Sequence, residues 1–165
     1  MLAVKGITSI QMTLNGERVQ LQIRPSDTLL RALREYAGTT GPKAGCENGD
    51  CGACTVLLND KPVKACMMLA LEAANKTVTT VEGLMDTEIQ EAFIKEGGFQ
   101  CGYCTSGFVV NAFALLENKP FADEKEKKEW LSANLCRCTG YEGIRNAVDT
   151  AQIEVQRRLK SSFNK

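Results

Sequence analysis

Residues 9–23, SIQMTLNGERVQLQI, alternate apolar and polar positions on both sides of Asn15-Gly16. A period of two marks strands with one buried face, and Asn-Gly is the strongest short hairpin signal because both residues tolerate positive φ. After Pro25 the period lengthens. Leu29, Leu30, Leu33, Tyr36 and Ala37 fall on one face of a helix that Ser26 or Asp27 can cap and Gly38 can stop. TVLLN, PVKAC and TVTTV (Thr77 to Val81) add three short strands. Up to residue 82 the pattern predicts a small mixed sheet with one helix across it.

Beyond residue 82 the pattern is helical. Thr87 and Gln90 form a capping-box pattern that opens a helix running to Gly97-Gly98. A second helix spans roughly Ser106 to Glu117 and stops before Pro120. DEKEKKEWLSANL predicts a third, its charge run a solvated face, and Ile144, Val148, Ala151, Val155 and Leu159 recur at helical spacing along a fourth. Four helices with short connections predict a compact bundle. The chain divides into residues 1–82 and 83–165. The Met67-Met68-Leu69 stripe and the Val109 to Leu116 run read as core.

Charge and composition narrow the functions available. Twenty basic and twenty acidic residues give a formal net charge of zero, so no footprint for a nucleic acid or an anionic membrane is present. The longest apolar runs, such as Gly107 to Leu116, are too short for a transmembrane helix, and the start MLAVKGITSIQMTLNG carries no export signal. A soluble cytoplasmic chain is expected. Eight cysteines in a reducing compartment point to metal binding or redox chemistry rather than disulfides. There is no histidine, which excludes mixed cysteine–histidine zinc sites, Rieske clusters and any imidazole base.

Cys46, Cys51 and Cys54 follow the Cys-x4-Cys-x2-Cys spacing of plant-type 2Fe-2S ferredoxins, and Cys66 supplies a fourth thiol. Three thiolates must reach two bridged irons from one loop, and Gly45, Gly49, Gly52 and Ala53 let the backbone wrap closely enough for N–H groups to face the sulfurs. The competing tetrahedral zinc site usually draws its cysteines from two short pairs. Cys101-x2-Cys104 and Cys136-x-Cys138 are two such pairs, and their spacing alone suits zinc or a cluster equally. Cys104 precedes the second helix and Cys138 the fourth, so two helix N-termini would face an anionic centre there.

GCENGDCGACTV, the cysteine at 66, QCGYCTSG and LCRCTGYEGI together resemble the small iron-sulfur subunit of the molybdenum hydroxylases, the xanthine dehydrogenase and aldehyde oxidoreductase family. The likeness runs from the first hairpin to the last helix. It implies an α+β chain: an N-terminal β-grasp 2Fe-2S ferredoxin-like domain, then a C-terminal four-helix 2Fe-2S-binding domain. It implies that Cys46, Cys51, Cys54 and Cys66 hold one cluster, and Cys101, Cys104, Cys136 and Cys138 the other. It implies a large molybdopterin-binding partner and a medium FAD-binding partner, as a heterotrimer or a dimer of heterotrimers. Electrons then run from the molybdopterin through the helical-domain cluster and the loop cluster to FAD. By the same resemblance Gln100 contacts the pterin and Cys138 is the ligand nearest it. Ser106 stands where the family commonly has proline, and its hydroxyl can cap the same helix. Two other readings remain: a free-standing ferredoxin-like carrier, and a ferredoxin with a zinc-stabilised helical module. No catalytic acid, base or nucleophile is evident. The substrate of such a complex belongs to a different chain.

Overall fold

The computed structural model describes residues 6–85 and 87–163; the first five residues, part of the start expected to carry no export signal, Asp86 and the last two residues lie outside this range. β1 (Thr8–Leu14) and β2 (Glu17–Ile23) form the expected hairpin, with Thr8 opposite Ile23 and Leu14 opposite Glu17. Asn15 and Gly16 make its two-residue turn at φ 50° and 87°. β3 (Thr55–Leu58) pairs antiparallel with β4 (Lys61–Lys64), and β5 (Thr77–Thr79) lies parallel to β1 and antiparallel to β3. The strand order β2-β1-β5-β3-β4 is that of a β-grasp sheet.

One helix crosses this sheet, as expected, but its start differs. α1 (Leu29–Arg31) continues as a wider turn over Ala32–Tyr36, and its cap is Thr28, whose hydroxyl accepts from the Arg31 N–H at 3.2 Å. Asp27 is engaged otherwise: its carboxylate accepts from the Arg24 N–H at 2.7 Å and the Tyr36 hydroxyl at 3.0 Å. Two strands are shorter than the pattern predicts. The chain turns at Ala65–Met67, placing Cys66 in that turn, and again at Val81–Gly83. At the second turn the buried Thr80 N–H donates to Asn15 Oδ1 at 2.8 Å, which leaves the sheet ladder at Thr79.

The four helices are α2 (Glu88–Lys95), α3 (Thr105–Asn118), α4 (Glu124–Leu131) and α5 (Glu142–Phe163). Gln90 accepts from both the N–H and the hydroxyl of Thr87, fixing the start of α2. Phe108, Val110, Leu115 and Leu116 are buried, so α3 is the central element of the bundle. Alternation along β3 explains how the halves join. Val56 faces a core with Ile10, Met12, Leu21, Ile23, Leu29, Leu33 and Val78, while its neighbour Leu57 faces the helical core with Phe93, Phe108, Ile144 and Val148. The sheet is therefore covered by α1 on one side and α3 on the other.

Two expectations about side chains are corrected. Met67 and Leu69 are exposed, at 63% and 43%, because the strand ends at Lys64, the chain turns over Ala65–Met67, and Met67 projects over the glycine-rich loop. The α4 charge run is not wholly solvated either. Lys127 is buried, its ammonium shared by Glu124 and Asp149, which hold it charged despite burial.

Candidate metal centres

The loop from Gly45 to Cys54 gathers three thiols. The Cys51 N–H donates to Cys46 Sγ at 3.3 Å, and the N–H groups of Cys51, Asn48 and Asp50 lower the Cys46 thiol to about 6. A Cβ on Gly45 would stand 2.7 Å from Cys51 Sγ, so glycine there is what lets the backbone pass the sulfur. The Lys64 ammonium donates to the Gly49 carbonyl and pins the outer curve of the loop. Cys54 and Cys66 are buried against each other, and burial pushes Cys54 up to about 12.

The second group lies in the helical half. Cys101 and Cys138 are exposed, with their sulfurs 3.6 Å apart. Cys104 lies against Cys136, and its thiol is pushed up to about 12 by burial first and by that neighbour second. Cys136 is buried, yet its thiol falls below the ordinary range: the Thr139 hydroxyl and N–H donate to its sulfur at 3.1 and 3.4 Å, outweighing burial. The Cys136 N–H in turn donates to the Tyr141 hydroxyl at 3.1 Å.

Cys104 is the N-cap residue of α3, as expected. α5 begins only at Glu142, so Cys138 is separated from it by the Thr139–Tyr141 turn, and the donors to Cys136 come from that turn. Ser106 does not cap α3: its hydroxyl and that of Thr105 are buried without a partner. Gln100 is exposed next to Cys101, and Phe99 and Tyr103 are exposed beside it.

The thiols thus stand as four couples: Cys46 with Cys51, Cys54 with Cys66, Cys101 with Cys138, and Cys104 with Cys136. Among the described residues, no three or more cysteine or acidic side chains converge as for a single ion. Couples suit a diiron centre, in which two thiolates and two bridging sulfides complete each iron. The close passage at Gly45 and the N–H and O–H donors on Cys46 and Cys136 fit the same group, since they favour negative charge on sulfur.

Several residues that shape the site give no local signal in sequence. Asn134 Nδ2 donates to the Gly52 carbonyl at 2.9 Å, and Asn134 Oδ1 accepts from Asn111 Nδ2 at 2.8 Å. The Leu135 N–H donates to the Cys51 carbonyl at 2.9 Å, and the Tyr103 hydroxyl to the Ala44 carbonyl at 2.9 Å. Gly52 was expected to let the loop approach a cluster. A Cβ there would also stand 2.5 Å from both the Ala133 carbonyl oxygen and Asn134 Nδ2, so Gly52 is a point where the two halves touch. The one available hint was Asn111, a lone amide within an apolar helical run.

An α+β chain with a β-grasp sheet, a helical bundle and four thiols in each half has the build of a ferredoxin-like iron-sulfur protein. Residues 12–81 match the 2Fe-2S iron-sulfur cluster binding domain, and residues 80–149 match a second 2Fe-2S binding domain. The chain is 44% identical over 144 residues to the small FeS subunit of nicotinate dehydrogenase from Eubacterium barkeri, covering 85% of this chain and 92% of that one. It is 43% identical to the small subunit of nicotine 6-hydroxylase from Paenarthrobacter nicotinovorans, covering 84% and 86%. Among solved structures, quinoline 2-oxidoreductase from Pseudomonas putida 86 superposes with a TM-score of 0.87 at 40% identity, over 92% of this chain and 97% of that one. The chain belongs to the small iron-sulfur subunits of the molybdenum hydroxylase family, which transfer electrons within a heteromeric oxidoreductase. Among the described residues, no helix is long and apolar enough to cross a membrane.

Proposed function

We propose that Cys46, Cys51, Cys54 and Cys66 hold one 2Fe-2S cluster within residues 1–82, and that Cys101, Cys104, Cys136 and Cys138 hold the other within residues 83–165. When bound, each cluster supplies a site that takes up and releases one electron. The chain receives electrons from a large molybdopterin-binding partner at the face bearing Cys101 and Cys138, where Gln100 lies against the pterin and Cys138 is the ligand nearest it. It delivers them to a medium FAD-binding partner from the loop of Cys46 and Cys51. These three chains form a cytoplasmic heterotrimer or a dimer of heterotrimers.

The observation that carries this reading is the arrangement of sulfurs. Each half holds one deep couple, Cys54 with Cys66 or Cys104 with Cys136, and one outer couple, Cys46 with Cys51 or Cys101 with Cys138. The deep couple anchors a centre, while the outer one brings it near the surface, where a partner can exchange an electron. No proton has to be moved by this chain. Its residues set potential through donors to sulfur, with Cys51 N–H acting on Cys46 and Thr139 acting on Cys136.

The test is purification of the native complex with iron, sulfide and molybdenum analysis. Two diiron clusters give four irons per copy of this chain, two distinct electron paramagnetic resonance signals on reduction, and two larger chains in constant ratio. A stable monomer carrying both clusters, with no partner, would instead establish the free-standing carrier.

A further inference from the structure

Asn134 is 2% exposed and Asn111 is 4% exposed, an unusual place for two carboxamides. Burying an amide is unfavourable unless its hydrogen bonds are made, and a carboxamide gives each bond a fixed direction. One network joins them. Asn134 Nδ2 donates to the Gly52 carbonyl at 2.9 Å, and Asn134 Oδ1 accepts from Asn111 Nδ2 at 2.8 Å. Asn111 Nδ2 also donates to the Trp130 carbonyl at 3.1 Å, and Trp130 Nε1 donates back to the Asn111 carbonyl at 3.0 Å. The chain around Asn134 is therefore tied to α3, to α4 and to the thiol-bearing loop at once.

The residues on either side of these contacts are the cysteines. Gly52 follows Cys51, and Asn134 precedes Leu135 and Cys136. The Leu135 N–H donates to the Cys51 carbonyl at 2.9 Å, so one main-chain hydrogen bond joins a cysteine of one group to the neighbour of a cysteine of the other. It depends on the loop carbonyls at 51 and 52 facing the 134–135 backbone: the Thr55 N–H and hydroxyl hold the Gly52 carbonyl from within the loop, at 3.0 and 2.6 Å, and the Asn134 side chain ties that carbonyl to the helical half.

We propose that Asn134 is the positioning residue of the relay. Resting on the two-cluster reading above, the carboxamide fixes the separation and the hydrogen-bonded contact between the two centres, and thereby the rate at which an electron crosses between them. Asn134 touches neither centre and acts through Gly52, Cys51 and Leu135.

The experiment compares wild type and Asn134→Leu in the assembled complex, with iron and sulfide content, the two cluster signals and the two midpoint potentials as controls. The expected result is unchanged controls, with the magnetic splitting between the reduced clusters altered. Electron exchange between them slows, because tunnelling falls off exponentially with added distance between the centres. Unchanged splitting and rate, with both clusters present, overturn the proposal and leave the function intact. Fewer than two diiron clusters in wild type would sink the function itself. Should the variant lose a cluster, hydrogen exchange of the wild-type complex decides. Slow exchange in the 134–136 segment supports the clamp, and exchange as fast as that of exposed loops refutes it.

Discussion

The carbonyl oxygen of Gly52 lies 2.2 Å from where a Cβ on Gly107 would stand, so the first turn of α3 rests directly on the backbone of the thiol-bearing loop. Both surfaces are main chain, and neither can rotate away as a side chain could.

Gly107→Ala should therefore be destabilising even though alanine is the better helix former by about 1 kcal/mol. The added methyl group meets the Gly52 oxygen and, at 3.0 Å, the Ala53 Cα, and overpacking of this kind costs about 1–3 kcal/mol or more. The melting temperature of the cluster-loaded chain is expected to fall by several degrees, at about 2–4 °C per kcal/mol for a chain of this size. A rise in melting temperature would mean that the halves do not meet at this point.

Cys104→Ser tests the division into two centres. Cys104 is half-buried against Cys136, and serine in its place offers a hydroxyl that gives up its proton far less readily than the thiol. Iron should fall to about half, the helical-half signal should disappear, and the loop signal should persist. Flavin reduction by a nicotinamide donor should continue in the complex while substrate-driven electron flow stops. Loss of both signals together would show that the two halves do not load independently.

Ser106 offers a test of a different kind, because its hydroxyl is buried without an acceptor. A buried unsatisfied hydroxyl is unfavourable by about 1–3 kcal/mol, so Ser106→Ala is expected to leave iron content unchanged and the melting temperature equal or higher. Ser106→Pro should do the same, since the first turn of α3 needs no N–H donor at that position and proline restricts the unfolded chain. A clear drop for Ser106→Ala would reveal an acceptor for the hydroxyl.

Features that depend on neighbours in sequence were legible without the structure. The alternation around Asn15-Gly16, the Thr87–Gln90 box and the α5 stripe each rest on contacts within a few residues. Features set by distant partners were not. Asn134 meets Gly52 across 82 positions of sequence, so a polar residue near Cys136 looked like any loop residue. Gly52 also passes close to Ala133 and Asn134, neighbours that no local pattern announces. The α1 cap fell to Thr28 because Asp27 had partners at Arg24 and Tyr36, a competition invisible to a rule about capping residues alone. Met67 looked like core because its neighbours are apolar, yet the turn at Cys66 rotates it outward.

That Asp27 carboxylate carries the last prediction. Burial alone would raise it, but the Arg24 N–H, the Tyr36 hydroxyl and the charges of Arg31 and Arg24 together hold it below the usual carboxylate range. A carboxylate whose folded value is depressed adds stability that is present above its unfolded value of about 3.9 and is lost as pH falls through the folded one. Asp27→Asn should thus cost about 1–3 kcal/mol at pH 7, the scale of hydrogen bonds to a buried charged group. Urea unfolding followed by circular dichroism at pH 7 and again near pH 3 checks it. The gap between wild type and variant should narrow toward zero in acid, while cluster loss at low pH is common to both chains and cancels in the difference. A gap of equal size at both values would mean that the ionised form of Asp27 holds no special place in the fold.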